Sequence, residues 1–187
     1  MSDLIFLSLK VTKTSENTPE QTAQLLASLS RATSKAGLLG GSNLHISLEV
    51  TVIAGLITFV IVTPKSLETF VRSQMHATYP DVVIDVVDDY LKTWSDLSLS
   101  FVRQQYAQFF PLRDYADYKE VDPMLPVLGV LSKAAEGDKV LLQFVLTPAP
   151  SSMQRNAYRY LHPQTVEKAP TPEGKKLIDD KLSQPLV

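Results

Sequence analysis

The chain contains no cysteine among its 187 residues. That absence excludes a disulfide framework and any thiolate metal ligand, and it fits a reducing compartment. The sequence also lacks an uninterrupted apolar run of about 18 residues, so no segment reads as a membrane-spanning helix. Charge of one sign is missing too. Eighteen Lys and Arg stand against twenty Asp and Glu, a formal net charge of -2. A phosphate-binding surface normally shows as a basic stripe, so nucleic acid is unsupported as a partner. The apolar stretch that begins at Leu4 has neither a basic leader nor a small-residue cleavage site, and it reads as a first strand rather than a secretory signal. These features place the chain in the cytoplasm, or at the inner face of the membrane through a partner or a missing segment. With 44% hydrophobic and 20% charged residues there is enough apolar material for one globular domain or two small fused ones.

Four dipeptides punctuate the sequence: Thr18-Pro19, Thr63-Pro64, Asp122-Pro123 and Thr171-Pro172. Each has the form of a helix N-cap followed by proline at the first helical position. The Thr or Asp oxygen accepts an otherwise orphaned backbone N–H, and proline lacks only an N–H that had no partner there. The first start gains Gln21 for a capping box, then Leu25, Leu26, Leu29 and Ala32 at helical spacing, with an end near Gly37. The second places Leu67, Phe70, Val71 and Met75 on one face and stops at Tyr79-Pro80. The third carries Val127, Leu128, Leu131 and Ala135, with Gly137 positioned as its C-terminal cap.

Period-two runs predict strands at 5–11, 44–53, 56–62, 82–87, 97–102 and 140–147. In the second, Ile46, Leu48, Val50 and Val52 alternate with His45, Ser47, Glu49 and Thr51, which predicts one buried and one wet face. Ala54-Gly55 predicts a tight hairpin into a strand that is apolar on both faces, as a central strand is.

Residues 3–90 therefore spell βαββαβ, the ferredoxin-like plan, with Leu29, Leu67, Phe70 and Val71 expected between helices and sheet. The rest begins the same order again, which makes the expected fold class α+β. A ferredoxin-like βαββαβ unit over 1–92 is followed by a second, incomplete ferredoxin-like pseudo-repeat over 93–187, with an irregular segment at 149–170.

No constellation of catalytic, cofactor-binding or metal-ligating residues emerges. The glycine-rich segment 37–42 lacks the Lys and Ser/Thr of a phosphate loop. His45, His76 and His162 have no ligand spacing, and the acidic pairs Asp88-Asp89 and Asp179-Asp180 read as solvated faces. The strand at 56–62 has one Phe and no basic residue, which provides poorly for base stacking. What remains is an apolar sheet face. Phe6, Ile57, Phe59 and Ile61 are assigned to an outer face that contacts either the second repeat or another protein.

Two segments carry a family resemblance: HISLEVTVIAGLITFVIVTPKSLETFVRSQMHATYPDVVIDVVDDY at 45–90 and VDPMLPVLGVLSKAAEGDKVLLQFVLTPA at 121–149. The SLE strand, the V-T-P helix start, the YPD turn and the VDP helix before a G-D turn resemble a domain of unknown function. That domain precedes the motor in bacterial conjugative-transfer ATPases, the coupling-protein relatives of type IV secretion. The resemblance implies a non-catalytic assembly or docking domain, with the parent ATPase or a second copy as partner and no cofactor. None of the resembling motifs is catalytic, so no site residue transfers. A small-ligand-binding regulatory module built from paired ferredoxin-like units is the alternative, and a nucleic-acid-binding accessory domain a third reading.

Overall fold

A computed structural model describes residues 3–12, 18–37, 44–94, 122, 124–135, 137–147, 152–162, 172 and 176. The chain divides into two compact units, one of residues 1–98 with 120–148 and the other of 99–119 with 149–187.

The first unit is built on a five-stranded antiparallel sheet. Its elements run β1 (Leu4–Lys10), α1 (Pro19–Gly37), β2 (Ile46–Ile53), β3 (Leu56–Pro64), a 3-10 turn (Lys65–Leu67), α2 (Glu68–Thr78), β4 (Val83–Val87), a second 3-10 turn (Tyr90–Thr93), α3 (Leu125–Leu131) and β5 (Leu141–Leu146). The strand order is β4-β1-β3-β2-β5, and every neighbouring pair is antiparallel. β5 therefore pairs along β2 and extends the first sheet, which brings residues 120–148 into that unit. The strand expected at 97–102 lies outside the described residues.

Local chemistry explains most boundaries. The backbone N–H of Thr18 donates to Gln21 Oε1 at 3.0 Å, one half of the capping box that opens α1. At Thr63-Pro64 the chain stays extended to the end of β3, and α2 begins only at Glu68 after the 3-10 turn. Pro64 lies past the last pair with β2, Ser47 opposite Val62, so there β3 has a neighbour on the β1 side only and proline is tolerated as on an edge. Asp122 Oδ1 accepts the N–H of Met124 at 2.8 Å, but α3 starts at Leu125, with proline in its first turn, and stops at Leu131. Gly137 thus falls in the turn before β5, at φ 96°, rather than capping the helix. The helix expected from Thr171-Pro172 lies largely outside the described residues.

The β2–β3 hairpin turns through Ala54 and Gly55, at φ 50° and 75°. Two successive positive φ values are what a two-residue type I′ turn needs to match strand twist. A Cβ added at Gly55 would meet open space, so the penalty of Gly55→Ala is conformational. That substitution is expected to cost about 1–2 kcal/mol, read as a lower urea midpoint at constant slope.

The register assigns side chains to faces. Leu7 lies opposite Ile61, and Ile61 opposite Leu48, so these share one face. On that face Leu7, Ile46 and Ile61 pack with Leu25 and Leu29 of α1, Val71 and Met75 of α2, and Val82. Leu29 and Val71 are fully buried, whereas Leu67 and Phe70 sit at the margin of this core, partly exposed. Phe6, Val60 and Val62 form a smaller cluster on the opposite face, joined by Ile53, Val87 and Tyr90. From Val60 to Val62 β3 is buried on both faces, while Leu56 and Phe59 toward the hairpin are exposed.

In the second unit, α4 (Ser152–Leu161) occupies part of the stretch expected to be irregular. Its Ala157 is buried, and Met153, Tyr160 and Leu161 are partly so, at the spacing of one helical face. Among the described residues no helix is long and apolar enough to cross a membrane.

Candidate functional site

The four residues assigned to one outer face do not share a face. Phe6 lies opposite Val62 and packs edge-on against Tyr90, with ring centroids 5.5 Å apart. Ile61 points the other way, into the core beneath the helices. Ile57 and Phe59 precede Ile61 at intervals of two, so they too face the helix side. Only the three from β3 are brought together. An antiparallel register of Phe6 with Val62, rather than with Ile61, separates them.

The polar face of β2 is not wet. Ser47, Glu49 and Thr51 are all buried. Thr51 Oγ1 donates to the carbonyl of Val140 at 2.8 Å. The Glu49 carboxyl group accepts from both sides: Tyr90 donates its hydroxyl to Oε2, and Gln143 donates from Nε2 to Oε1 at 2.8 Å. The Tyr90 phenol is pushed well above its ordinary value, chiefly by burial and then by the Glu49 carboxyl group. Lys139 Nζ donates to the carbonyl of Thr93. Together these contacts fasten the second 3-10 turn and the approach to β5 onto the sheet.

Two surfaces remain open on the helix side and the β5 edge. The first is a concavity of about 750 Å³ between α1 and the hairpin half of the sheet, lined among others by Leu26, Leu29, Val50, Ile57, Phe59 and Phe144. Where α1 meets the end of α2, Thr22 Oγ1 and Tyr79 OH share a hydrogen bond of 2.7 Å at its wall. The second is β5, the last strand of the sheet on the β2 side among the described residues. Its Phe144 is 51% exposed on one face and its Val145 50% on the other. Between 141 and 146 the sequence LLQFVL has no charge, proline or glycine.

Among the described residues no group of three or more His, Asp or Glu side chains is gathered to hold a metal ion. The family model of a domain of unknown function, DUF8128, matches residues 7–179. The chain belongs to the DUF8128 family. No curated protein matches it, and no solved structure does. The match spans β1 to β5 of the DUF8128 domain, so the concavity and the β5 edge both lie within the family's own boundaries.

Phe144, Val145, Glu49, Tyr90, Thr22 and Tyr79 were not among the candidate positions assigned from the sequence. For β5 a signal existed: six consecutive uncharged residues of good strand propensity with no guard against pairing. The other four meet only through contacts 41 to 57 residues apart, which no local pattern announces.

Proposed function

We propose that the DUF8128 domain is a non-catalytic docking module that receives a strand from another protein at β5. The observation that carries this reading is that β5 is the unguarded edge of the sheet among the described residues. Natural sheets blunt exposed edges with lysine, proline, bulges or inward charges, because a free row of N–H and C=O groups templates pairing. β5 has none of these and presents half-exposed Phe144 and Val145 to either side of an added strand. Strand addition uses that geometry: main-chain hydrogen bonds supply affinity and alternate side chains supply specificity.

The resemblance of 45–90 and 121–149 to the region ahead of conjugative-transfer motors supports an ATPase of the type IV secretion class as the partner, on the cytoplasmic side of the membrane. Strand order β4-β1-β3-β2, with α1 and α2 on one face, supports reading 1–92 as the ferredoxin-like unit, with β5 added to it. The second ferredoxin-like unit expected over 93–187 would need β5 in a sheet of its own, whereas β5 pairs with β2 and residues 120–148 belong to the first unit.

The test is to install the missing guards. The double variant Phe144→Lys/Val145→Lys is expected to keep its thermal midpoint within a few degrees, since both positions are half-exposed. It is expected to weaken binding to a purified coupling-protein-like ATPase at least tenfold in sedimentation or calorimetry. Unchanged binding by a folded variant overturns strand addition at β5.

A further inference from the structure

The concavity on the helix side has properties of its own. At about 750 Å³ it lies inside the usual range of small-molecule sites, roughly 300–1,000 Å³. Leu26, Leu29, Val50, Ile57, Phe59 and Phe144 make its walls apolar from three directions: α1, the hairpin and β5. The space is a cleft beside the core, open to solvent where Phe59 and Phe144 are half-exposed.

Its charge pattern narrows the occupant further. Lys10 and Glu49 border the space, yet both direct their charged ends to the opposite sheet face. Lys10 Nζ pairs with Asp85 Oδ2 at 2.9 Å, and the Glu49 carboxyl group is held by Tyr90 and Gln143. The polar contribution inside is the Thr22–Tyr79 hydroxyl pair. Two hydroxyls that share one hydrogen bond still have one O–H and spare lone pairs between them, enough to hold an uncharged hydroxyl or carbonyl oxygen.

We propose that this concavity binds a single-chain neutral amphiphile. Its alkyl or acyl chain lies against Leu26, Val50, Ile57 and Phe59, and its uncharged polar end meets the Thr22–Tyr79 pair. A long neutral alcohol and a monoacylglycerol share this chemistry. The site differs from the β5 edge in ligand class and shares one wall residue with it, Phe144; Leu26, Phe59 and Tyr79 test the concavity and Val145 tests the edge.

The experiment is a fluorescence titration of the full chain with N-phenylnaphthylamine, a neutral apolar probe, followed by displacement with decanol or monodecanoylglycerol. Saturable binding at one site per chain is expected, with displacement by both competitors and none by decyltrimethylammonium at equal concentration. Leu26→Trp, which fills the space, and Phe59→Asp, which places a carboxylate at its mouth, are each expected to lower probe affinity at least tenfold. Phe59 is 45% exposed, so Phe59→Asp keeps the fold and reads alone if Leu26→Trp does not. Tyr79→Phe is expected to weaken decanol two- to tenfold while leaving probe affinity unchanged, as loss of one hydrogen bond does. Unsaturable probe binding overturns the proposal, as does binding indifferent to Phe59→Asp. Val145 lies opposite Ser47, on the sheet face away from the concavity, so Val145→Lys losing partner binding while the wild-type chain fails to bind the probe would overturn the amphiphile site alone.

Discussion

Leu29→Ala is expected to lower the unfolding free energy by about 2–5 kcal/mol, toward the upper end of that range. Leu29 is fully buried between α1 and the sheet and belongs to the main core cluster. It also lines the helix-side concavity, so the space it vacates joins one already present and the surroundings cannot collapse to close it. Cavity volume that persists is the component that separates a costly truncation from a mild one. Phe70→Ala supplies the contrast. Phe70 packs at the margin of the same core and is partly exposed, so its loss is expected to fall clearly below the roughly 3–5 kcal/mol of a fully buried ring. Urea unfolding with a shared slope measures both, and a Phe70→Ala loss equal to that of Leu29→Ala would contradict this placement of the helix face.

Tyr90→Phe is the second large effect. It removes one of the two donors to a buried carboxyl group, and a buried polar group left short of a partner costs about 1–3 kcal/mol. Replacing both ends, in Glu49→Leu/Tyr90→Phe, is expected to restore most of that loss, because the penalty resides in the unmatched group. Linkage gives the same pair a pH signature. The folded-state phenol binds its proton more tightly than a free tyrosine, whose pKa is about 10. Its contribution is therefore fully present below that value. Above it the unfolded chain releases a proton that the folded chain keeps, and stability falls with rising pH by up to about 1.4 kcal/mol per unit. Tyr90→Phe is expected to make the decline between pH 9 and 11 shallower, as read from denaturant midpoints across that range. An unchanged slope would mean that other tyrosines carry it.

Strands of the sheet were legible where the sequence carries its own parity. β2 alternates sharply, Ala54-Gly55 fits a single turn type, and the two together locate the hairpin to the residue. β3 offers no such cue. Leu56, Thr58, Val60 and Val62 on one side and Ile57, Phe59 and Ile61 on the other differ only by Thr58, a weak cue to which set meets the helices. That choice is made by register with β1, a contact between strands some fifty residues apart, and Phe6 was grouped with the wrong set as a result. The polarity of Ser47, Glu49 and Thr51 was read correctly and its consequence was not. Polar groups can be buried when partners arrive: Tyr90 and Gln143 serve Glu49, and Val140 serves Thr51, whereas the Ser47 hydroxyl is buried without a hydrogen-bond partner among the described residues. α4 was within reach: Met153, Ala157, Tyr160 and Leu161 repeat at helical spacing and Pro163 follows, but the flanking prolines and serines suggested an irregular segment. The concavity had no sequence signature, because it arises from the spacing between α1 and the sheet.

β2 meets β3 across two residues, but it meets β5 only after the chain has left the first unit at 98 and returned at 120, a separation of 94 residues between Glu49 and Gln143. Closing a longer loop costs more entropy, by about 0.6 kcal/mol for each doubling. Contacts of high sequence separation are also the slow ones to form. β5 is accordingly expected to join late in folding and to detach in openings that leave the other four strands paired. Its backbone amides then exchange with solvent at a lower free energy than those of β3, which exchange through global unfolding. A bound strand at β5 would close that local route, and slowed exchange confined to 141–146 would register the partner's arrival without any change in the fold.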